Sequence, residues 1–501
     1  VSQEITVIVL AAGGGTRMKS KTMKVLHPIA GRSMIGHVLA AAAELAPTRV
    51  VAVVGHQREA VSAHVGALFP DTVLAVQDTQ DGTGHAVRMA WEALPAEARA
   101  GTVLVITGDT PLLRGASLRA LVDYHRGSSH AMSVLTAEVG DPFGYGRIVR
   151  DGDGVAAIVE EKEATPDQAA IHEINSGILA FEAGFLDGAL GRIGNDNAKG
   201  EYYLTDTVAL ARADGRSVGA FLLDDVRQTE GVNDRAQLAE MAAEMNRRIL
   251  DRWMRDGVTI VDPATTWIDV DVTLAPDVTI LPGVQLLGAT NVAEDAVIGP
   301  DSTLKDVEVG PGAKVVRTHG ELAVIGAGAT VGPFSYLRPG TELGAGGKIG
   351  AFVETKNAQI GDGAKVPHLS YVGDASIGEG ANIGAGTIFA NYDGVAKHRT
   401  TVGAHAKTAS NNTFVAPVTI GDGAATGAGS VIRRDVPPGA LAVSSGQQRH
   451  LAGWAQSKRP GTDQARAAEA ATRGESGGSG SAAGPDGGTA GEEVGQTPVG
   501  E

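Results

Sequence analysis

The sequence contains no cysteine. Disulfides, zinc thiolates and an acyl-cysteine intermediate are therefore excluded, and any acyl transfer proceeds without a thiol nucleophile on the protein. Aromatic residues make up only 4%, while Gly reaches 69. That pairing favours small residues and tight turns over large rings. Positive charge is also scarce: 42 Lys and Arg face 58 Asp and Glu, a formal net charge of -16. A diffuse acidic balance argues against a nucleic-acid partner, because phosphate backbones need clustered cations. Anionic small molecules remain suitable ligands wherever a site is locally positive. No apolar run approaches the length that spans a bilayer, which argues against a membrane partner. The first residues, VSQEITVIVLAAGGG, lack a basic leader and run straight into glycines, so they read as a buried strand rather than a signal peptide. The expectation is a cytoplasmic protein acting on small molecules.

At 501 residues the chain is too long for one ordinary core, so two domains are expected. Residues 1–235 alternate short apolar runs (ITVIVLAA, VVAVVG, TVLVITGD) with helical patterns such as MIGHVLAAAAELA and GHAVRMAWEALP. This alternation predicts an α/β domain with a mostly parallel sheet covered by helices. Ligands collect at the carboxyl ends of such strands, so the loops after Ala12 and Gly108 are the places to look. Residues 236–257 continue one long helical pattern in which Leu238, Met241, Met245, Ile249 and Trp253 recur every three or four positions. It predicts a connecting helix packed between domains. Over 258–460 the texture changes. Aliphatic residues recur about every six positions, often followed by Gly, as in IGPDSTL, IGAGATVGPFSYL, IGDGAKV and IGEGANIGAGTI. Fixed-period self-similarity predicts a solenoid, here a parallel β-coil. Residues 461–501 hold almost no large apolar side chains and are expected to stay disordered.

Leu10, Ala11, Ala12, Gly13, Gly14, Gly15, Thr16, Arg17 and Met18 follow the first strand and are expected to open a helix. Glycines let a backbone approach a ligand, and free N–H groups at a helix start favour phosphate. Two familiar loops fail at Met18: a phosphate-binding GxxxxGKS loop needs Gly there, and so does GxGxxG. Arg17 and Lys24 taken singly are surface cations, but together beside a glycine loop they suit a triphosphate. Asp109 ends the strand VLVIT and is placed to hold Mg²⁺, which prefers oxygen ligands and keeps waters. In the coil, Arg338, Lys356, His368, Tyr371, Asn382, Asn391, Tyr392 and Lys397 are polar among small residues. Each alone reads as a solvated corner. Together they read as a cradle for an anionic sugar phosphate with a base nearby. A His titrates near neutrality and can take the proton of an attacking amine, and donors must stabilise the oxyanion.

These motifs occur in order along the chain: LAAGGGTRM, Lys24-Val25-Leu26, Gln77 with Gly82-Thr83-Gly84-His85, and Gly108-Asp109. Gly144-Tyr145-Gly146-Arg147, Glu160, Glu173-Ile174-Asn175, Gly231-Val232-Asn233 and the hexapeptide coil complete the series. Up to about residue 460 the chain resembles the bacterial GlmU family, bifunctional N-acetylglucosamine-1-phosphate uridylyltransferases and glucosamine-1-phosphate N-acetyltransferases. The resemblance implies a Rossmann-like nucleotidyltransferase domain, a left-handed parallel β-helix and a homotrimer. Its product would be UDP-N-acetylglucosamine, used in peptidoglycan synthesis. It implies that Leu10 to Gly14, Arg17 and Lys24 hold UTP and that Gln77, Gly82 and Thr83 read uracil. Gly146, Glu160 and Asn175 would hold the N-acetylglucosamine moiety. Asn233 would contact the nucleotide sugar and, with Asp109, bind Mg²⁺. His368 would be the general base; Arg338, Lys356, Tyr371, Asn382 and Lys397 would hold glucosamine-1-phosphate. Asn391 and Tyr392 would lie near the acetyl group, with Ala385, Ser410 and Ala428 on acetyl-CoA.

The chain departs from the family pattern at three places. Met23 stands where Pro precedes Lys24. Ala409 replaces Gly before Ser410, which costs something if that backbone needs positive φ. Ser445 stands where an Arg often meets CoA phosphate, so Arg449, Lys458 or Arg459 would have to substitute, with Trp454 available to stack on adenine. The alternatives are a single-activity enzyme and a non-catalytic subunit. A single-activity sugar-nucleotide pyrophosphorylase would not need His368 and Tyr371 beside Arg338 and Lys356. A non-catalytic nucleotide-sugar-binding regulatory subunit should have lost Arg17, Lys24 or Asp109, and all three are present.

Overall fold

The runs Ile5–Leu10 (β1), Arg49–Val54 (β2), Val73–Val76 (β3) and Thr102–Thr107 (β4) are short, apolar and rich in Val and Ile, which suits strands covered on both faces. In the computed structural model, which describes residues 4–55, 58–197, 199–444, 446 and 448–476, they form the parallel half of a nine-stranded sheet. Its remaining strands are Met132–Glu138 (β5), Arg147–Asp151 (β6), Gly154–Val159 (β7), Glu173–Glu182 (β8) and Val218–Leu222 (β9). The order is β3-β2-β1-β4-β8-β5-β9-β7-β6. The sheet is more mixed than the apolar runs suggest. β8 runs antiparallel to β4 and β5, and β6 and β7 form an antiparallel pair. Period and apolarity carry no sign of strand direction, which depends on how the chain returns.

Helices Met34–Ala43 (α1), Thr83–Glu92 (α2) and Gly115–Ser128 (α3) pack on the sheet, leaving two buried apolar layers. β1 and β4 lie side by side and point the same way, Leu10 opposite Thr107. The loops that follow them therefore leave the same edge together.

Asp234 caps the helix Arg235–Arg255 (α4), its carboxylate accepting from the N–H groups of Ala236 and Gln237. α4 packs at one end on the sheet domain and at the other on the coil. Met241 packs with Met18, Ile29, Met34 and Leu112 of the first domain, whereas Ile249 and Leu250 enter the core of the coil. Buried Asn246 spans the junction, donating to the Thr266 carbonyl (2.8 Å) and accepting from the Ile268 N–H (3.1 Å).

From Thr259 onward the chain winds as a left-handed parallel β-helix of hexapeptide repeats. Ile260, Ile280, Ile298, Val315, Val331, Ile349 and Val366 stack in one buried column through consecutive parallel pairings. Three six-residue sides make one turn, so the aliphatic of each repeat meets its equivalent a turn later. One loop, 391–398, interrupts the coil between strands Ile388–Ala390 and Thr400–Val402. The last coil strand is Leu441–Ala442, well short of residue 460.

Residues to 444 form one compact unit and those from 445 another. In the second unit, Trp454–Lys458 and Asp463–Ser476 are helical. The expectation of disorder from 461 is thus corrected for 461–476. The run QARAAEAATR combines the best helix formers with an Arg473–Glu469 pair one turn apart (3.3 Å), and a helix needs no core for its own hydrogen bonds. Residues 477–501 of the expected tail, and Ser445, lie outside the described residues.

Candidate functional sites

At the carboxyl edge, the Ala11 N–H donates to the Val53 carbonyl and the Gly108 N–H to the Leu10 carbonyl, both at 2.9 Å. The glycine loop and the Asp109 loop thus start in contact. The glycine loop does not open an α-helix. Thr16–Met18 is a single 3₁₀ turn, flanked by left-handed Gly15 (φ 59°) and Lys19 (φ 47°), and these two residues break the ladder at each end. Positive charge at this site is therefore delivered by side chains rather than by a helix terminus. A Cβ on Gly15 would lie 2.5 Å from the Cβ of Lys24, so glycine is needed there both for its φ and for the approach of Lys24. Met23 keeps φ at -56°, an angle proline would also supply, and its side chain is buried in the core; the departure from Pro leaves the loop in place.

Four of the expected residues converge here. Lys24 Nζ lies 2.5 Å from Asp109 Oδ2 and 3.4 Å from Asn233 Oδ1, and Arg17 Nη2 donates to the same Asn233 oxygen at 2.7 Å. The Val232 N–H donates to the Asp109 carbonyl (3.0 Å) and the Asn233 N–H to Gln237 Oε1 (2.8 Å), which fixes both donors' backbones. Lys24 and Asp109 are only 14% and 21% exposed, so water screens their charges poorly. The carboxylate of Asp109 and the amide oxygen of Asn233 already converge on a cation, the Lys24 ammonium. Hard oxygen donors meeting at one point fit Mg²⁺.

Beside this cluster lies a cavity of about 360 Å³. Of the residues assigned to the nucleotide sugar by resemblance, Leu10, Ala12, Gly13, Gln77, Gly82, Thr83 and Glu160 line it. Gln77 is buried and donates to the Gly82 carbonyl (3.1 Å). Gly82 has φ 103°, and a Cβ there would meet the Tyr202 carbonyl at 2.6 Å. Sequence reasoning missed Gln80, Lys199, Glu201 and Tyr203, which also line the cavity. The 201–204 segment is pinned onto the start of α2: the Gly84 N–H donates to the Tyr202 carbonyl (2.7 Å) and the Leu204 N–H to Thr83 Oγ1 (3.0 Å). The run Gly200-Glu201-Tyr202-Tyr203 was the only available signal, and it has no period.

Gly146, Glu160 and Asn175 also come together. A Cβ on Gly146 would stand 3.6 Å from Asn175 Cβ and 3.7 Å from Glu160 Oε1. Burial raises the Glu160 carboxyl above its ordinary range, while Lys199 works in the opposite direction.

The coil site is built differently. Tyr371 pairs with Glu354 and Lys356 with Gly373 on successive turns, and Arg338 donates to Glu354 at 2.9 Å. Arg338, Lys356 and Tyr371 are thereby neighbours across three turns. The Lys397 ammonium, at the end of the 391–398 loop, reaches Lys356 and holds the Lys356 ammonium below its ordinary range; burial adds to the shift and Asp374 opposes it. Asp374, another residue the sequence did not reveal, binds this group together. Its carboxylate accepts from Asn357 (2.8 Å) and Asn391 (2.5 Å) and lies 3.9 Å from Lys356 Nζ. Burial works against its charge, but those amides and the two ammonium groups outweigh it and lower its pKa. Tyr371 OH is 3.5 Å from Asn391 Nδ2. A Cβ on Gly373 would collide with both, which explains the glycine.

His368 is exposed, one turn before Gly386, whose N–H donates to the His368 carbonyl (3.2 Å). Ala385 and Ser410 then follow on successive turns, through Asn411 N–H to the Ala385 carbonyl (2.7 Å) and Gly429 N–H to the Ser410 carbonyl (2.9 Å). Ala428 precedes that glycine, so the expected acetyl-CoA contacts rise along one edge of the coil. Asn382 is exposed and bridges Lys365 and Lys407. Tyr392 is exposed too, its hydroxyl donating to the Gly394 carbonyl (2.7 Å). The left-handed residue after Ser410 is Asn411 (φ 55°); Ala409 is not among the positive-φ residues, so its methyl costs no backbone strain. In the second unit, the Arg459 guanidinium lies 4.8 Å from the Trp454 ring centroid, covering one indole face.

Residues 7–164 match the model of the MobA-like NTP transferase domain. The chain is 62% identical over 477 residues to the bifunctional protein GlmU of Rhodococcus opacus, covering 93% of this chain and 95% of that one. It is 60% identical to that of Kineococcus radiotolerans (93% and 94% covered) and 56% identical to that of Mycobacterium bovis (94% and 96% covered). With near-complete coverage of both chains at this identity, the chain belongs to the bifunctional GlmU family.

Proposed function

We propose that this bifunctional enzyme, an N-acetyltransferase and a uridylyltransferase, divides its work between the two sites. Acetyl transfer from acetyl-CoA to glucosamine-1-phosphate takes place on the coil, and uridylyl transfer from UTP to N-acetylglucosamine-1-phosphate at the sheet edge. The observation that carries the second assignment is the convergence of Arg17, Lys24, Asp109 and Asn233 beside the cavity.

At the sheet edge, Gln77, Gly82 and Thr83 hold uracil, and Gly146, Glu160 and Asn175 hold the sugar. The sugar phosphate oxygen attacks the α-phosphorus, the bond to the β-phosphate oxygen breaks, and pyrophosphate leaves. Arg17 and Lys24 supply fixed positive charge as the oxygens of the transition state gain negative charge. Asp109 and Asn233 would hold Mg²⁺, which neutralises phosphate charge when bound. On the coil, Arg338, Lys356, Tyr371, Asn382 and Lys397 hold the amino-sugar phosphate. His368 takes the proton of the amine as it attacks the thioester carbon, and the CoA thiolate departs. Asn391 and Tyr392 lie beside the acetyl group, and the Ala385–Ser410–Ala428 edge carries the rest of acetyl-CoA.

The coil also presents Phe334, Phe352 and Leu369 on successive turns at 52%, 58% and 62% exposure, the two Phe rings stacked 5.2 Å apart. A ridge of large apolar groups next to His368 supports a homotrimer that completes the acetyl site. No helix among the described residues is long and apolar enough to cross a membrane. The test is a mass-spectrometric assay with glucosamine-1-phosphate, acetyl-CoA, UTP and Mg²⁺. UDP-N-acetylglucosamine is expected. Product formed only from supplied N-acetylglucosamine-1-phosphate would overturn the coil assignment.

A further inference from the structure

Glu160 and Glu161 are adjacent carboxylates with opposite surroundings. Glu160 faces the cavity. Glu161 turns the other way and accepts from Arg147 Nη2 at 2.7 Å and from the Gly144 N–H at 3.1 Å. Arg147 is 2% exposed and sits at the start of β6, directly after the Gly144–Gly146 loop. Its other donors reach the Tyr145 carbonyl and the Ala169 carbonyl (3.4 Å) at the end of the one-turn helix Pro166–Ala169. The hydrogen bonds of this buried guanidinium therefore end between Tyr145 and Ala169, the stretch that carries Gly146 and Glu160. The loop it grips carries Gly146, whose carbonyl accepts from the Asn175 N–H at 2.8 Å. Phe143, just before the loop, is 77% exposed and provides no apolar anchor.

Only the Arg147 end of this ion pair is buried, its partner Glu161 being 29% exposed, so desolvation of the guanidinium offsets much of the Coulomb gain; fixing one geometry is the better-attested use. We infer that the Arg147–Glu161 pair is a positioning brace that aims Glu160 and Gly146 at the sugar of the uridylyl-transfer substrate. Neither residue touches the substrate. Glu161 holds Gly144 from one side while Arg147 holds Tyr145 from the other, and the chain direction that turns Glu161 inward to Arg147 turns Glu160 toward the cavity. The inference rests on the assignment of Glu160, Gly146 and Asn175 to the sugar.

Steady-state uridylyl transfer with each substrate varied in turn tests it on the full chain, using Glu161→Ala and the near-isosteric Glu161→Gln. With the brace cut in Glu161→Ala, KM for N-acetylglucosamine-1-phosphate should rise roughly tenfold, as a displacement on the order of 1 Å suffices to cause. Glu161→Gln keeps an acceptor for Gly144 and should show a smaller rise. KM for UTP should stay within about twofold. Acetyl transfer on the coil and the melting temperature report folding in the same sample; if the Ala variant fails to fold, the Gln variant carries the test. An unchanged sugar-phosphate KM in a folded variant, or an equal rise for both substrates, overturns the brace alone. Lack of uridylyl transfer by the unmutated chain would overturn the site assignment and the brace with it.

Discussion

On the proposed reading the two sites solve one problem, holding an anionic sugar derivative, with opposite architectures. At the sheet edge, Arg17 and Lys24 from one loop and Asp109 from another meet because β1 and β4 end together, and Asn233 joins them from the approach to α4. The resulting cluster is sunk beside a cavity. On the coil, Arg338, Lys356 and Tyr371 are near neighbours in a regular stack. Regular stacking gives an exposed ladder, over which the 391–398 loop brings Lys397 against Lys356; on the proposed reading a second copy of the chain completes the enclosure. A sheet supplies depth through topology, whereas a solenoid supplies spacing and must borrow depth.

The sharpest way to break this comparison is to disable one site at a time. Asp109→Ala should lower uridylyl transfer by at least about a thousandfold, since it removes the carboxylate that would hold Mg²⁺ at the reacting phosphates and that anchors Lys24. Acetyl transfer should be unchanged. His368→Ala should do the reverse, with a loss of about a hundredfold or more in acetyl transfer. Loss of both activities in a folded variant would show that the sites are not independent. Next in size is Gly15→Ala. The methyl must displace Lys24 at a left-handed position, so kcat/KM for uridylyl transfer should fall about a hundredfold, again with acetyl transfer spared. A normal rate would mean that Lys24 is not held by this contact.

Much of this was legible in the sequence, for reasons the structure makes plain. The coil announces itself because each buried position, such as Ile280, Ile298 and Val315, repeats the same environment. The glycine loop was legible because Gly15 meets a backbone and contact constraint that only glycine satisfies. Lys199, Glu201 and Tyr203 were hidden because a chain reversal onto α2 brings them in, and reversals leave no periodic mark. Asp374 was hidden for the opposite reason. Asp and Asn at coil corners are common, and only the stacking of Asn357 and Asn391 on either side distinguishes this one. The strand directions of β8 and of the β6–β7 pair were not legible either, since a strand's side-chain pattern is the same in both directions.

A gentler change tests whether depth on the coil is borrowed. Phe352→Glu places a charge on the apolar ridge, at a residue to which no substrate contact is assigned. Sedimentation should show a smaller assembly, and acetyl transfer should fall roughly tenfold, in line with the truncation cost of a buried aromatic contact of about 1.4 kcal/mol or more. Uridylyl transfer should change less than about twofold. A monomer with full acetyl transfer would show that one coil suffices.

The smallest effect should come from the connector. Glu244 accepts from Arg247 and Arg248, and Arg248 continues to the Leu112 carbonyl (3.1 Å) and to Asp225, behind the Asp109 loop. The hydrogen bond from Arg247, with that from Arg248, overcomes burial and holds the Glu244 carboxyl at about 2, against an ordinary 4.5. A depressed carboxylate contributes stability that is fully present above its unfolded value and is lost as pH falls through its folded value. Glu244→Gln should therefore lower the melting temperature by a few degrees at pH 7, roughly what 1 kcal/mol does in a domain this large. The gap to the unmutated chain should hold down to about pH 4.5 and narrow below it. A gap that stays constant from pH 7 to pH 3 would mean that shape, not charge, is what Glu244 contributes. Uridylyl transfer should shift slightly because Asn233 and Leu112 both lean on α4, while acetyl transfer, separated from α4 by several coil turns, should not move.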